Sequence, residues 1–383
     1  MNEKYGKLFP RCPDMEERKI WQTGKGSYVT ALPPEWAKPL LESKNRKIFV
    51  SKAVCNSIHV LFLTPKESYK TRKLMLEIKK DDPDMLLYEI VTAYLKDYDE
   101  VYVKFPKGEP KPKCVRALSS VQSKLFGVTV RSHGNDFKVT MSTKPESIDD
   151  LLDDMFMLYE DLYNINYEIM NEIKESTISK EKLDGQGELI ETKESDIDAC
   201  SFLIKRLLNR LLYTPWLSTE IGVKDFADII PYTTLNVNLE RLGDLQVEIF
   251  NALCALIKSV GENAPNYIHS KSNSYGYLEY YSSAHRMVKD SYRSRNDVER
   301  LKEIISTKNK RKTLKKDDVK QEMPYRPGYI EAEERMIIYD LIKNFGNEHL
   351  VCLEHEIWGM TGNATNIAEA WYNMKGFSTI TNP

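Results

Sequence analysis

Two pairs of carboxylates stand four residues apart in segments with helical periodicity. Glu194 precedes Asp198, and Glu240 precedes Asp244. Residues four apart are neighbours on one helical face, where two like charges repel each other unless a cation neutralises them. Two such pairs on facing helices would present four oxygen donors to a hard divalent or ferric ion. The spacing predicts a metal site, whereas the alternative is that acidic helices produce this spacing by chance, with both pairs solvated.

Apolar residues place these carboxylates at the border of a helical core. Around the first pair they recur every seven residues, at Ile190, Ile197, Ile204 and Leu211. The second pair borders Leu239, Leu242 and Ile249. Gly243 lies between its two acids and costs about 1 kcal/mol relative to alanine in a helix, which indicates a close approach of the backbone.

Charge is distributed unevenly along the chain. Residues 1–60 hold 11 basic and 6 acidic residues, whereas residues 146–262 hold 10 basic and 24 acidic residues. The N-terminal end would therefore attract polyanions and the middle would attract cations. Five basic side chains near the N-terminus could form a strip for DNA phosphates on a β platform, doubled in a two-fold dimer, or could be ordinary surface charges. They are Arg18, Lys19, Lys25, Arg46 and Lys47.

Other motifs indicate less. Six cations in residues 308–316 favour an anionic partner or a solvated loop. His349, Cys352 and His355 could bind a soft metal, but His349 and His355 do not share a helical face, which favours core or surface placement. The six cysteines are at least 43 residues apart and form no C-x-x-C pair, so we expect buried thiols. The Gly-Lys-Gly-Ser sequence at residues 24–27 lacks the order of a phosphate-binding loop.

Membrane insertion and secretion are not expected. The longest obvious apolar run is the four residues from Val60 to Leu63, whereas a spanning helix needs roughly 20. The N-terminal residues are charged and are followed by Pro10 and Pro13, unlike a secretory signal. These features predict a cytoplasmic protein.

Periodicity divides the chain into a β-rich front, an α/β module and long helices. Residues 18–32 predict two strands joined by a glycine turn, Pro33 and Pro34 open a helix, and residues 47–51 form a strand. This front module of roughly 40 residues is too small to be stable alone, so we expect a homodimer. Residues 57–145 alternate strand and helix signals, beginning with a strand at residues 58–63.

Long amphipathic helices follow in two sets. The first is predicted at residues 147–176, 188–213 and 225–260, with joints at 184–187 and 214–223. The second is predicted at residues 266–290, 292–308 and 328–375, interrupted at 308–327. The repetition predicts tandem three-helix bundles with a period near 110 residues.

The front module carries a family resemblance. Its R-K-x-x-x-T-G-K-G-S-Y-x-x-x-L-P-P-E-W-A sequence, from Arg18, resembles the swapped-hairpin AbrB/SpoVT DNA-binding domain, in the variant that opens archaeal phosphate uptake regulators. The resemblance implies double-stranded DNA as a partner, with Gln22 and Ser27 among the contacts beside the basic residues.

The helical region carries a second resemblance. The L-E-R-L-G-D sequence at residues 239–244 resembles the L-E-R-I-G-D signature of PhoU, and residues 363–369 are similar to the H-A-T-N-I-A-E that follows it in the second repeat. PhoU proteins have two three-helix bundles that each hold a metal cluster through E-x-x-x-D motifs. Glu194 with Asp198 and Glu240 with Asp244 match both motifs of the first repeat.

The second repeat departs from the PhoU pattern. Trp358 and Gly362 stand where the carboxylates should be, and the matching helix offers Arg295 and Glu299. One of the four ligands survives, so metal is expected in the first bundle at most.

The resemblance implies a multidomain chain with four parts. They are a swapped-hairpin AbrB-like β module at residues 14–56, a small α/β linker module at 57–145, and all-α PhoU-like repeats at 147–262 and 264–377, the second degenerate. Residues 125–130 fit the usual linker module.

These parts together predict a DNA-binding transcriptional regulator of phosphate uptake and not an enzyme. One alternative is an adaptor that contacts a phosphate transporter or signalling protein without binding DNA. A metal-dependent hydrolase ranks last, because no nucleophile, general base or phosphate-binding loop accompanies the carboxylates.

Overall fold

The computed structural model describes residues 19–41, 48–55, 58–65, 71–105, 112–260, 277–313 and 348–376. The chain forms two compact units. One comprises residues 1–52 and 61–70, and the other comprises residues 53–60 and 71–383.

The N-terminal strands form two separate sheets of two strands each. Strands β1 (Ile20–Thr23) and β2 (Ser27–Thr30) pair antiparallel, and the glycines at 24 and 26 take the positive φ angles that their tight turn requires. Helix α1 (Pro34–Leu41) begins at the predicted proline. Strand β3 (Ile48–Cys55) pairs with β4 (Ile58–Pro65). The strand predicted at residues 58–63 is confirmed as β4, although it pairs with β3 and not with the four-stranded sheet of the residues that follow.

The α/β module is one four-stranded sheet with two helices. Its elements are β5 (Lys73–Glu77), α2 (Pro83–Leu95), β6 (Glu100–Lys104), α3 (Pro112–Lys124), β7 (Val128–His133) and β8 (Asp136–Met141). The strand order is β5-β6-β8-β7, with β5 parallel to β6 and the other neighbours antiparallel. Strand β5 was not predicted. The core between sheet and helices includes Leu86, Ile90, Val101, Leu118 and Val139.

Long helices make up the rest of the described chain. The first set comprises α4 (Ile148–Glu175), α5 (Lys180–Leu211), the short α6 (Leu217–Ile221) and α7 (Ile229–Val260), with a 3-10 turn at Phe226–Asp228. The second comprises α8 (Tyr277–Arg293), α9 (Val298–Thr313) and α10 (Glu348–Gly376). Helices α4, α5 and α7 pack on one another, and α10 packs on α7, α8 and α9. A single core of buried apolar side chains runs through both sets.

The joint expected at residues 184–187 does not exist, because α5 runs through it. Helix α4 ends at Ser176, which takes a left-handed conformation, and α5 begins after Ser179, whose hydroxyl accepts a hydrogen bond from the Lys182 amide. Gly187 lies inside α5, where a β-carbon would come within 3.3 Å of the Phe250 ring. This glycine marks close packing of two helices and not a turn.

The loop expected at residues 308–316 is also partly wrong. Residues 308–313 form the last turns of α9, and residues 314–316 lie outside the described part of the chain. Helix α10 begins at Glu348, and most of the expected interruption at 308–327 likewise lies outside that part.

The α/β module is anchored on the first helical set by a buried guanidinium. Arg206 of α5 is fully buried and donates hydrogen bonds to the carbonyls of Tyr94 (2.5 Å) and Tyr98 (3.0 Å), at the C-terminal end of α2. It also pairs with Asp97 at 2.9 Å. Unpaired carbonyls and the negative dipole end of a helix favour a cation. The amide of Asn209 adds a bond to the Leu95 carbonyl.

A second arginine strengthens this anchor. Arg210 pairs with Asp97, which has a positive φ of 58° and also accepts a hydrogen bond from the Tyr213 hydroxyl at 2.5 Å. The side chain of Phe202 packs against the module's core. The α/β module is therefore fixed to α5, whereas the sequence had suggested a linker.

Candidate functional site

Helices α5 and α7 bring the four predicted carboxylates to one side of the first bundle. The predicted stripe on α5 is buried, as are the leucines and isoleucine that border the second pair on α7. Glu194, Asp198, Glu240 and Asp244 are each half-buried beside these apolar residues. The sequence-based placement of the carboxylates at the border of the core is confirmed.

Gly243 allows the two helices to approach closely beside the carboxylates. A β-carbon at this position would lie 3.0 Å from Cδ1 and 3.4 Å from Cγ2 of Ile197. Ile197 precedes Asp198 on α5, and Gly243 precedes Asp244 on α7. The backbone approach inferred from Gly243 is therefore found, and it occurs next to one acid of each pair.

The carboxylates influence one another's ionisation. Burial, followed by the charges of Asp198 and Asp244, raises the pKa of Glu194 to about 7. Burial, followed by the charges of Glu240 and Asp244, raises the pKa of Asp198 to about 6. The pKa of Asp244 is also raised, chiefly by burial. Negative charge thus accumulates across the two helices, as expected of a site that attracts protons or cations.

Basic side chains neutralise part of this charge. Lys205 of α5 lies 2.9 Å from the Glu240 carboxylate, which also accepts a hydrogen bond from the Ser201 hydroxyl at 3.3 Å. Arg241 lies 3.4 Å from Asp244. The charge of Lys124, at the end of α3, lowers the pKa of both Glu194 and Asp198 without offsetting the effect of burial.

Carboxylate oxygens suit a hard cation, although the four carboxylates do not form a complete coordination sphere. Within the described ranges, no three carboxylate, imidazole or thiol groups stand close enough together to hold a metal ion. The oxygen Oδ1 of fully buried Asn236, one turn before Glu240, has no hydrogen-bond partner, while its amide nitrogen donates to Ser201 at 3.2 Å. This acceptor beside the acids also fits a cation or its bound water. Cation binding would require Glu240 to release Lys205 and Asp244 to release Arg241, so that both carboxylates could bind the cation.

A second acidic pair, which the sequence analysis missed, lies where α7 meets α10. Burial and the neighbouring Glu248 raise the pKa of Glu356 to about 8. Arg241 bridges the two acids, at 3.2 Å from Glu248 and 3.8 Å from Glu356. These residues are far apart in the chain and follow no spacing rule, so only the packing of α10 on α7 could have shown the pair.

In the second helical set, basic and apolar residues occupy the positions that differ from the PhoU pattern. Arg295 forms a two-bond ion pair with Asp153 of α4, at 2.7 Å and 3.1 Å. Glu299 is exposed and pairs with Lys302. Trp358 is half-buried and Gly362 is exposed on α10.

The motif His349, Cys352, His355 lies on the same helix, α10. Cys352 and His355 are exposed, so the expectation of a buried thiol is wrong at Cys352.

The predicted DNA-contacting residues that the structure describes lie on the β1–β2 hairpin. Lys19, Gln22, Lys25 and Ser27 are all exposed. The predicted Arg18, Arg46 and Lys47 lie outside the described residues. The same hairpin exposes large apolar side chains, with Ile20 71%, Trp21 50% and Val29 46% accessible.

Comparison with known proteins adds no identification: no family model, curated protein or solved structure matches the chain. No described helix combines the length and hydropathy that a membrane span requires.

Proposed function

We propose that this protein is a DNA-binding transcriptional regulator of phosphate uptake, in which a cation-responsive helical region accompanies an AbrB-like N-terminal hairpin. The observation that carries the proposal is the β1–β2 hairpin, which displays basic and large apolar side chains together. The sequence resemblances to AbrB/SpoVT and PhoU supply the biological context.

The hairpin supplies electrostatic contacts to a duplex. Lys19 and Lys25 are exposed near the start of β1 and in the turn, where they can reach phosphates. Neutralising phosphates releases condensed counterions, so affinity should fall steeply as salt rises. Gln22 and Ser27 add neutral donors to phosphate or base edges.

The apolar residues of the hairpin call for a homodimer. An isolated two-stranded hairpin is at best marginally stable in water. Its two strands are four residues each and leave Ile20, Trp21 and Val29 exposed. A second copy that covers these side chains would stabilise the hairpin and double the number of lysines facing the DNA, as in the swapped hairpin of the family it resembles.

The carboxylates of α5 and α7 form the responsive part of the helical region. Glu194, Asp198, Glu240 and Asp244 would hold a divalent or ferric ion, whose charge would neutralise the acids. Glu194 and Asp198 attract the cation, because burial and mutual repulsion already favour protons on them. Lys205 and Arg241 hold Glu240 and Asp244 in the cation-free protein. Displacing these bases would alter the contacts between α5 and α7.

DNA binding can be tested by fluorescence anisotropy of the full-length protein with random-sequence duplex over a range of salt concentrations. We expect the affinity of Lys25→Glu to be about tenfold lower at low salt, with a shallower salt dependence. Lys104→Glu makes the same change of charge at an exposed residue at the end of β6 and serves as the matched control. If the wild-type protein shows no salt-sensitive binding to any duplex, the regulator is wrong and the phosphate-transport adaptor is favoured.

The cation site can be tested by elemental analysis of purified protein. We expect wild-type protein to retain a divalent or ferric ion, and Glu240→Ala and Asp244→Ala to lose most of it. Glu191→Ala removes an exposed carboxylate of α5 outside the four and controls for the loss of negative charge. Undiminished metal in both site variants would refute the assignment.

A further inference from the structure

Strand β5 leaves one edge of the α/β sheet open. It is the terminal strand in the order β5-β6-β8-β7, and no other described strand pairs with its outer side. Leu74 and Leu76 face the helices yet are only half-buried. Together with Tyr88, Thr92 and Lys96 of α2 they line a cleft of about 220 Å³. Helix α2 thus extends past the edge of the sheet, over the position where a further strand would lie.

The main-chain groups of alternate β5 residues face this open edge. The Arg72 carbonyl accepts a hydrogen bond from the Glu100 amide, and the Ile78 amide donates to the Lys104 carbonyl, so both of these even-numbered residues face β6. In a parallel pair, successive residues point their amide and carbonyl groups to opposite sides. The odd-numbered residues Lys73, Met75 and Glu77 therefore direct theirs outward.

The sequence of β5 is complementary to itself when reversed. From Lys73 to Glu77 it runs Lys-Leu-Met-Leu-Glu. In an antiparallel pair centred on Met75, each Lys73 lies opposite Glu77 of the other strand, and Leu74 lies opposite Leu76. The residues that would exchange hydrogen bonds in this register are the same three whose main-chain groups face outward. Opposite charges directly across a strand pair stabilise it.

We infer that a second copy of this chain binds along β5, joining the two sheets antiparallel about a two-fold axis at Met75. The register provides about six main-chain hydrogen bonds. This pairing also covers the Met75 side chain, which is 61% exposed. It places the cleft of one copy against the same cleft of the other copy. An interface between identical surfaces must complement itself. The cleft meets this requirement in charge, since Glu89 and Lys96 both line it.

The charges of β5 are available for this pairing. Lys73 lies 3.3 Å from Glu100, but its side chain is 57% exposed. Glu100 also binds Lys138 at 2.7 Å and accepts a hydrogen bond from the Tyr102 hydroxyl at 2.8 Å. Lys73 can therefore turn toward Glu77 of a second copy without leaving Glu100 unpaired. Glu77 is exposed at the other end of the strand.

Disulfide trapping in the full-length protein tests the register. Paired residues in an antiparallel sheet have Cα atoms about 5.5 Å apart, within reach of a disulfide. Mild oxidation of Met75→Cys should give a covalent dimer on a non-reducing gel, at least about fivefold more than wild type, which controls for the native cysteines. Met157→Cys is the matched control, since Met157 is 56% exposed on α4. Equal dimer yields from the two variants would overturn the inference.

A charge exchange distinguishes this self-pairing from other contacts. In the Met75→Cys background, Glu77→Lys places two lysines opposite each other and should reduce the covalent dimer about threefold. Adding Lys73→Glu restores opposite charges and should restore the yield. Failure of the second change to restore it, with thermal unfolding unchanged, would show that the strands do not pair in this register.

The interface proposed at β5 is separate from the hairpin dimer of the proposed function. Disulfide trapping of Met75→Cys should persist when Lys25→Glu, the variant designed to weaken DNA binding, is added. A protein that sediments as a dimer yet gives no trapped product at position 75 would leave the hairpin dimer standing and refute the β5 pairing.

Discussion

At the residue scale, the carboxylate pairs were visible in the sequence, but their basic partners were not. The four-residue spacing identified Glu194 with Asp198 and Glu240 with Asp244. Lys205 follows no motif with Glu240 and meets it only because α5 and α7 pack together. The pKa values of both α5 acids are raised, that of Glu194 to about 7 and that of Asp198 to about 6. The ionisation of Glu194 therefore changes near neutral pH and should affect stability there.

We expect Glu194→Gln to stabilise the metal-free protein, prepared with a chelator, at pH 8 by about 1 kcal/mol, a value reduced for partial exposure. The folded-state pKa of Glu194 is raised to about 7, so the folded protein binds this proton more tightly than the unfolded chain. Wild-type stability should therefore fall as pH rises from about 4.5 to 7, and the variant should lose less.

Chemical denaturation at pH 4 and pH 8 measures this difference, with Glu191→Gln as the control on an exposed position of α5. The variant should resemble wild type at pH 4 and exceed it at pH 8. A variant that is less stable than wild type at pH 8 would mean that the ionised Glu194 carboxylate is stabilising.

At the element scale, periodicity predicted the long helices well and their joints poorly. Helix α4 was expected at residues 147–176 and is found at Ile148–Glu175. Gly185 and Gly187 predict a break before residue 188, whereas α5 begins at Lys180. Glycine marks a turn or a close contact between helices, and a sequence cannot distinguish these uses without knowing the neighbouring helix. Strand β5 was missed for another reason: its five residues are too few to show a clear periodicity.

Gly243 and Gly185 both lie within helices, but their surroundings predict opposite effects of the same substitution. Gly243→Leu should destabilise the protein by about 1–3 kcal/mol, because its β-carbon already meets Ile197 at 3.0 Å. Gly185→Leu, in open space on α5, should be neutral or stabilise by up to about 1 kcal/mol.

Thermal unfolding of the two variants beside wild type measures both effects. Adding Ile197→Ala to Gly243→Leu makes room beside the new side chain and should recover part of the loss. Equal destabilisation by both leucines would show that α5 and α7 are not in close contact at Gly243.

At the scale of the whole molecule, the order of β-rich, α/β and helical parts followed from the sequence. The contacts between the α/β part and the helices did not. The chain forms two units whose boundary falls near residues 53–71. The contacts that join the α/β module to the helices include pairs more than 100 positions apart, such as Arg206 and Tyr94. Such pairs depend on how α5 lies against α2, which a pattern within one segment does not encode.

The buried arginine of α5 decides where the chain can be cut. A fragment beginning at residue 147 would keep all the long helices but remove the carbonyl and carboxylate acceptors of Arg206 and the apolar core that packs on Phe202, so it would expose to water the face of α5 that the α/β module covers. A fragment beginning at residue 71 keeps those acceptors. We expect the longer fragment to express as a folded protein with a sharp melting transition, and the shorter one to aggregate through the uncovered face of α5. The α/β module would then be required for the long helices that follow it to fold.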